Sequence, residues 1–391
     1  MSLPRADYWR LSTFYLFYFA MLGAIAPYWG LFLQSEGFDE VAIGTLMAVL
    51  MGTRIVAPNL WGWLADRTGQ RLRIIRTGAL MTLVVFSAAF WAEGFWPWLL
   101  LIFAFSFFWN AVLPQFEVIT LHALGTQRHS YSRIRLWGSI GFILTVVGLG
   151  WVFDRISIAA LVPILWGLML LVWLSALWVR PIEPSQQPES LDSHGFWPIL
   201  RRPEVLSFFI VCLLIQLSHG PYYSFYSIYM SEQGYDKSQI GLLWALGVVA
   251  EVLLFVVMPQ LLRWTGLALM VQLGMLTCAL RWTLIALFPD QLWILLLAQC
   301  LHAVTFGCLH AAGIALVQRF FPPRIQGQGQ ALYSSFGFGV GGALGAFGSG
   351  LVWHQYGGEV MFAFAAGAAL IGWLVAWRWI RLPEEAPDFS G

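Results

Sequence analysis

The sequence predicts an all-α membrane protein of twelve transmembrane helices in two pseudo-symmetric six-helix bundles. Three observations predict it. Of the 391 residues, 59% are hydrophobic and only 10% charged, whereas a soluble chain carries about 25% charged residues. There is too little polar surface to cover a water-soluble globule, so lipid must solvate much of the chain. Apolar stretches of roughly 20 residues, the length that crosses a bilayer, recur between charges, glycines, prolines and short polar turns. Finally, Gln34 to Gly44 aligns with Ser231 to Gly241 at an offset of 197 residues.

Taken in order, the stretches place helices at 10–34, 41–65, 74–92, 96–123, 133–153 and 158–180, then at 204–231, 239–262, 267–288, 292–318, 330–353 and 359–380. The first, from Leu11 to Leu33, is longer than a signal-peptide core and has no small-residue cleavage site behind it, so it is expected to be retained. Pro181, Pro184 and Pro188 break the pattern in a polar interval, giving a linker at 181–203 between bundles at 1–180 and 204–391. The repeat continues without gaps, as Leu46 meets Leu243, Leu64 meets Leu261, and Thr68-Gly69 meets Thr265-Gly266. Six spans per copy is an even number, so the copies are parallel and related by an axis along the membrane normal, with a cavity between them.

With a cytoplasmic N-terminus, 17 of the 21 Lys and Arg residues fall on the cytoplasmic side, and only Arg155 and Lys237 face outward. Both termini are therefore expected in the cytoplasm. The net charge of +1 gives no support to nucleic-acid binding. Cys212, Cys278, Cys300 and Cys308 lie in apolar runs without CxxC spacing, indicating neither a disulfide framework nor a metal site.

After span 2 the chain reads Gly62-Trp-Leu-Ala-Asp66-Arg67-Thr-Gly69-Gln-Arg71. This resembles the GxxxDRxGRR loop of the major facilitator superfamily, with one departure at Gln70. Gly62 permits close helix approach and Gly69 a tight turn, while Asp66 is suited to cap a neighbouring helix when the gate is shut. Further motifs resemble the branch holding lactose permease and the phenylpropionate permeases. Glu117 and Arg135, with Arg133 beside it, are similar to a substrate-holding pair of that branch. Ser218 to Tyr223, Glu251, Arg281-Trp282 and His302 to His310 resemble its second half. Thr305 stands where lactose permease carries a carboxylate, so that proton-release scheme does not transfer unchanged.

Glu117 and Glu251 are the two carboxylates deep in spans, accompanied by Arg54, Arg135 and Arg281. A charge at the bilayer centre costs from ~2.5 to above 10 kcal/mol, so these side chains should face partners or a wet cavity. Together they carry one excess positive charge, which an anionic substrate would complete. Protonating Glu251 would strengthen that attraction and couple a proton to a carboxylate-bearing solute. His219, His302 and His310 are the further proton candidates; His302, near Arg281, is preferred, and His310 is read rather as a neutral histidine hydrogen-bonded between helices. On span 7, Gln216, His219, Tyr223 and Tyr226 form a polar stripe expected to face the cavity, and on span 4 Asn110, Pro114 and Glu117 share a face. The span 1 stripe of Tyr15, Tyr18, Ile25 and Trp29 reads as a lipid-facing or packing face. Gly337, Gly341 and Gly345 on span 11 form GxxxG pairs for close packing, and not a nucleotide loop.

These residues predict a proton-coupled secondary transporter that imports a small solute by alternating access, an aromatic or other organic carboxylate first. Glu251, His302 and Arg281 would handle the proton, and Arg54, Asn110, Glu117, Arg135, Gln216, His219 and Tyr223 would contact substrate. The absence of a Gly-Pro pair on span 5, where many drug antiporters of the superfamily have one, favours uptake over export. A sugar or nucleoside symporter is the alternative. A membrane enzyme or a non-transporting sensor fits less well, since the chain has no HExxH, GxSxG or nucleotide loop. No cofactor beyond the proton is implied, and the protein is expected as a monomer in the inner membrane.

Overall fold

The computed structural model describes residues 4–125, 130–181 and 195–380. Most of the proposed linker, including Pro184 and Pro188, and the tail after 380 lie outside them. Among the described residues ten helices are long and apolar enough to cross a membrane, and there is no strand.

The first six are α1 (Arg5–Ser35), α2 (Glu40–Thr68), α3 (Arg71–Phe86), α4 (Phe95–Leu124), α5 (Tyr131–Phe153) and α6 (Leu161–Trp178). A short α7 (Phe196–Leu200) precedes α8 (Pro203–Glu232) and the 51-residue α9 (Lys237–Leu287). Then come α10 (Leu292–His302), α11 (Leu309–Phe320), α12 (Gln326–Leu332) and α13 (Gly342–Trp379). Two π-helical segments, Ala303–Cys308 and Tyr333–Gly341, join α10 to α11 and α12 to α13.

A straight helix the length of α9 would be about 76 Å long at 1.5 Å per residue, against a hydrocarbon core of about 30 Å. Gly266, at φ 68° and ψ 172°, breaks it. Its limbs fold back on each other, because Gly247 on one and Arg281 on the other both reach Gln299 and His302. Gly357, at φ 83°, breaks α13 in the same way: Gly345 packs on Leu217 and Gly372 on Leu214, one turn apart on α8. The two breaks fall at the turns that the hydropathy pattern placed near 262–267 and 353–359.

The repeat is visible in the backbone. Gly37 and Gly234, at φ 85° and 88°, and Gly69 and Gly266, at φ 66° and 68°, occupy matched left-handed positions. Asp39 and Asp236 cap α2 and α9, Asp39 accepting from the Ala42 amide at 2.7 Å. Arg76 of α3 donates to the carbonyls of Ala176, Leu177 and Val179 at the end of α6, a cation placed against a helix C-terminus.

Helices before and after the linker meet through glycines at one end of the molecule. A Cβ added to Gly44 would lie 2.9 Å from the Ala346 carbonyl and from Gly350 Cα, and one added to Gly150 would lie 2.6 Å from the Lys237 carbonyl. Asp154 accepts from the Ser238 amide at 3.3 Å, and Glu40 meets His354 at 3.1 Å. On span 11 the GxxxG expectation holds, as Gly341 and Gly345 lie against the Leu213 and Leu217 backbones of α8.

Candidate functional site

A cavity of about 250 Å³ lies between the two sets of helices. Arg54 of α2, Arg135 of α5, Gln216 and Tyr223 of α8, Glu251 of α9 and His302 of α10 all line it. Aromatic walls come from Phe19, Trp109, Phe142, Tyr222 and Trp244, with Phe306 and Phe338 from the π segments. Six of the side chains marked by sequence thus converge, although they come from five helices.

The lining holds two cations and one carboxylate. Among the described residues neither Arg54 nor Arg135 has an acidic partner within 4.0 Å. The Arg135 guanidinium instead rests 3.7 Å from the centre of the Phe19 ring, in the space left by Gly138, whose added Cβ would lie 2.8 Å from Nη1. Both forks are left free to bind an anion in a desolvated setting.

Behind the wall, Arg281 is fully buried. It donates to the Ala298 carbonyl at 2.9 Å, to Gln299 Oε1 at 3.2 Å, to Thr305 Oγ1 at 3.4 Å and to His302 Nδ1 at 3.1 Å. A guanidinium has no acceptor, so His302 Nδ1 must accept and the ring proton sits on Nε2. That nitrogen is 3.8 Å from the Glu251 carboxylate. Arg281 therefore sets the tautomer that turns an N–H toward the cavity's one acid.

Three of the expected substrate contacts are placed elsewhere. Glu117 accepts from the Tyr131 hydroxyl at 3.3 Å within the first six helices. Asn110 donates to Thr53 at 2.8 Å, tying α4 to α2. His219 is buried behind Tyr223 and Trp282, its Nδ1–H on the Ile215 carbonyl at 2.8 Å. None of the three lines the cavity: Glu117 and Asn110 are held by hydrogen bonds to neighbouring helices, and His219 by a bond to the Ile215 carbonyl of its own helix. Tyr226 is likewise packed behind, while Ile25 alone of the span 1 stripe reaches the lining. The cavity's excess of one positive charge survives, carried by Arg54, Arg135 and Glu251.

Sequence reasoning missed Tyr222, Trp244 and Gln299. Tyr222 stacks on Trp244 with ring centres 4.3 Å apart and donates to Gln299 at 3.1 Å. Gln299, a lone amide in an apolar run one turn before His302, was the available signal.

The loop motif also has definite geometry. Gly69 is left-handed at φ 66° and its N–H caps Ala65 at 2.9 Å, while Gly62 lies close to Gln115. Arg71 bridges Asp66 and Gln115, and Arg67 lies over Trp63 at 5.3 Å. Among the described residues Asp66 is thus bonded within its own loop, to Arg71, and not to a helix of the second set.

The sequence profile of the MFS_1 like family matches residues 8–364. The chain belongs to this family. It is 31% identical over 373 residues to the "Probable 3-phenylpropionic acid transporter" of Escherichia coli (strain K12), covering 92% of this chain and 94% of that protein. It is 26% identical to the maltose permease of Geobacillus stearothermophilus, covering 94% and 93%. Among solved structures, the nucleoside transporter NupG superposes with a TM-score of 0.85 at 17% identity, over 97% of this chain and all of that one. A peptide transporter of the POT type superposes with a TM-score of 0.76 at 14% identity over 95% and 93%. The last two likenesses concern the fold. As a member of the MFS_1 like family the chain is a multi-pass membrane transporter for a small molecule, and its relatives are transporters and not enzymes.

Proposed function

We propose that this protein imports a small organic carboxylate, an aromatic acid first, together with a proton. The observation that carries the reading is the pair of arginines, Arg54 and Arg135, facing an aromatic cavity whose one acidic lining residue among those described is Glu251. A carboxylate bound to the arginines and a negative Glu251 compete for the same positive field, so solute entry favours the proton on Glu251 and its departure favours release. The His302 Nε2–H steadies the ionised form between cycles. A volume of about 250 Å³ equals roughly eight waters, room for a single-ring solute. The likeness to the "Probable 3-phenylpropionic acid transporter" of Escherichia coli (strain K12) supports this choice of class.

In this reading the chain crosses the cell inner membrane twelve times with both termini cytoplasmic, as bundles 1–180 and 204–391 joined by 181–203, and works as a monomer. The folded-back limbs at Gly266 and Gly357 and the 17 Lys and Arg on one side support it. The bundles rock about the midplane site in alternating access, and the proton is the only accessory ion. The sugar or nucleoside alternative leaned on Glu117 with Arg135 to hold hydroxyls, and Glu117 is held by Tyr131 outside the lining.

The test is uptake of radiolabelled 3-phenylpropionate into proteoliposomes under an inside-alkaline pH gradient, with and without a protonophore. Accumulation that the protonophore abolishes is expected. Accumulation of maltose or uridine, with no transport of or competition by aromatic acids, would overturn the anion reading.

A further inference from the structure

The two π segments face each other beside the site. A π turn admits an extra residue and disturbs the regular hydrogen-bond ladder, and such turns gather at functional positions. Between Ala303–Cys308 and Tyr333–Gly341 lies a second hollow of about 30 Å³, distinct from the substrate cavity. That is space for one or two waters, which need at least about 10–15 Å³ and two to four polar partners. Thr305, Gln216, His310 and Tyr333 supply those partners from α8 and from both interrupted helices.

Three residues, Gln216, Phe306 and Phe338, line both the hollow and the substrate cavity, and so form the partition between them. Two are apolar rings, and Gln216 is the partition's one polar group. On the far side, His310 Nδ1 lies 3.3 Å from the Tyr333 hydroxyl. The rings of His302, Phe306 and His310 stack in a column one turn apart, with centres at 5.6 and 5.7 Å and planes within 16° and 8°. The column runs from the wall of the substrate cavity to the end of the hollow.

Thr305, which also lines the hollow, is a hydroxyl that does not titrate near neutral pH. His310 is the one group lining the hollow whose ordinary range reaches neutral pH. It is faced by Cys212 and Gln216 from α8, by Tyr333 from the second π segment and by Thr305 from the first; the charge acting on it is Arg135 across the cavity.

We propose that this hollow is a proton-release chamber, separate from the solute's route, with His310 as its acceptor. The proposal rests on the symport reading above. The Glu251 carboxyl gives its proton to cavity water and becomes a carboxylate. The water file passes the excess proton by Gln216 into the hollow, His310 takes it as imidazolium, and it then yields it to bulk water on the proposed cytoplasmic side. One proton moves and no other bond changes. Phe306 and Phe338 keep the partition closed to the solute.

The experiment compares wild type, His310→Gln and Phe306→Ala in proteoliposomes, with 3-phenylpropionate as probe. Glutamine can still accept from Tyr333 but cannot carry the proton. In His310→Gln, substrate-evoked proton entry and uphill uptake should fall at least tenfold, while counterflow at equal pH on both sides, which needs no proton release, stays within twofold. Phe306→Ala should leak protons without substrate, severalfold above wild type, and adding His310→Gln should suppress that leak. Unchanged proton entry in His310→Gln, or equal loss of counterflow, overturns the chamber. So does a Phe306→Ala leak indifferent to His310. A wild type that moves substrate without protons would instead sink the symport reading, which keeps the two failures apart.

Discussion

Arg54 and Glu251 stand 197 residues apart, the offset of the internal repeat, and both line the same cavity. The two halves therefore put matched backbone positions, on α2 and on the first limb of α9, opposite one another and load them with opposite charges. A symmetric scaffold gives an asymmetric site: one bundle presents a permanent cation and the other a group that can lose its charge. In the proposed alternating-access cycle, rocking of the two sets of helices would change the surroundings of both at once, as coupling requires.

Glu251→Gln removes the titrating group and keeps its shape. Accumulation against a gradient should collapse to the equilibrium ratio, while counterflow persists within about threefold of wild type. The ratio of internal to external radiolabel measures this, and undiminished accumulation would move the proton site elsewhere.

Arg54→Lys and Arg135→Lys keep charge and lose the planar fork. A charge-assisted hydrogen bond is worth about 1.5–3 kcal/mol, so each should weaken binding of an aromatic carboxylate by roughly 10- to 100-fold. Tryptophan quenching with Trp109 and Trp244 in the wall can follow the titration. An amide analogue of the same acid should bind wild type and variants alike.

Arg281→Met should destabilise the fold as well as stop coupling. It removes four buried hydrogen bonds, of which only the Gln299 acceptor keeps another donor, Tyr222, a loss on the order of 2–4 kcal/mol. Thermal unfolding in detergent should show a lowered Tm, with Arg281→Lys intermediate. An unchanged Tm would mean that water or Tyr222 replaces the guanidinium.

Gly44→Leu should prise apart the end where α2 crosses α13. The side chain would enter space filled by the Ala346 carbonyl and Gly350, and overpacking of this kind costs about 1–3 kcal/mol. The closed arrangement loses that much relative to one with this end open. An impermeant thiol reagent should then label a cysteine introduced at Ser139, in the cavity lining, faster from the side of the Glu40–His354 contact.

Much of this molecule could be read from the chain alone. Span limits, the glycine turns at Gly69 and Gly266, the repeat, the family loop and the small set of buried charges follow from local composition and spacing. These depend on what the bilayer demands of any segment: enough apolar length, internally satisfied backbone and few charges. Direction within the bundle was a different matter. Glu117 and Glu251 look alike in sequence, each a lone acid in an apolar span, yet one is held by Tyr131 and the other faces the cavity. Tyr222 and Tyr226 lie one turn apart on the same helix, and only the first reaches the lining. The physical reason is that a membrane helix is apolar on every side, whether it faces lipid or a neighbour, so no hydrophobic stripe marks its inner face. Which charge meets the cavity is decided by how the helices rotate and pack, through contacts such as Gly138 beneath Arg135 and Arg281 behind His302. Chain chemistry determined which ionisable groups are present; tertiary packing decided which of them share a site.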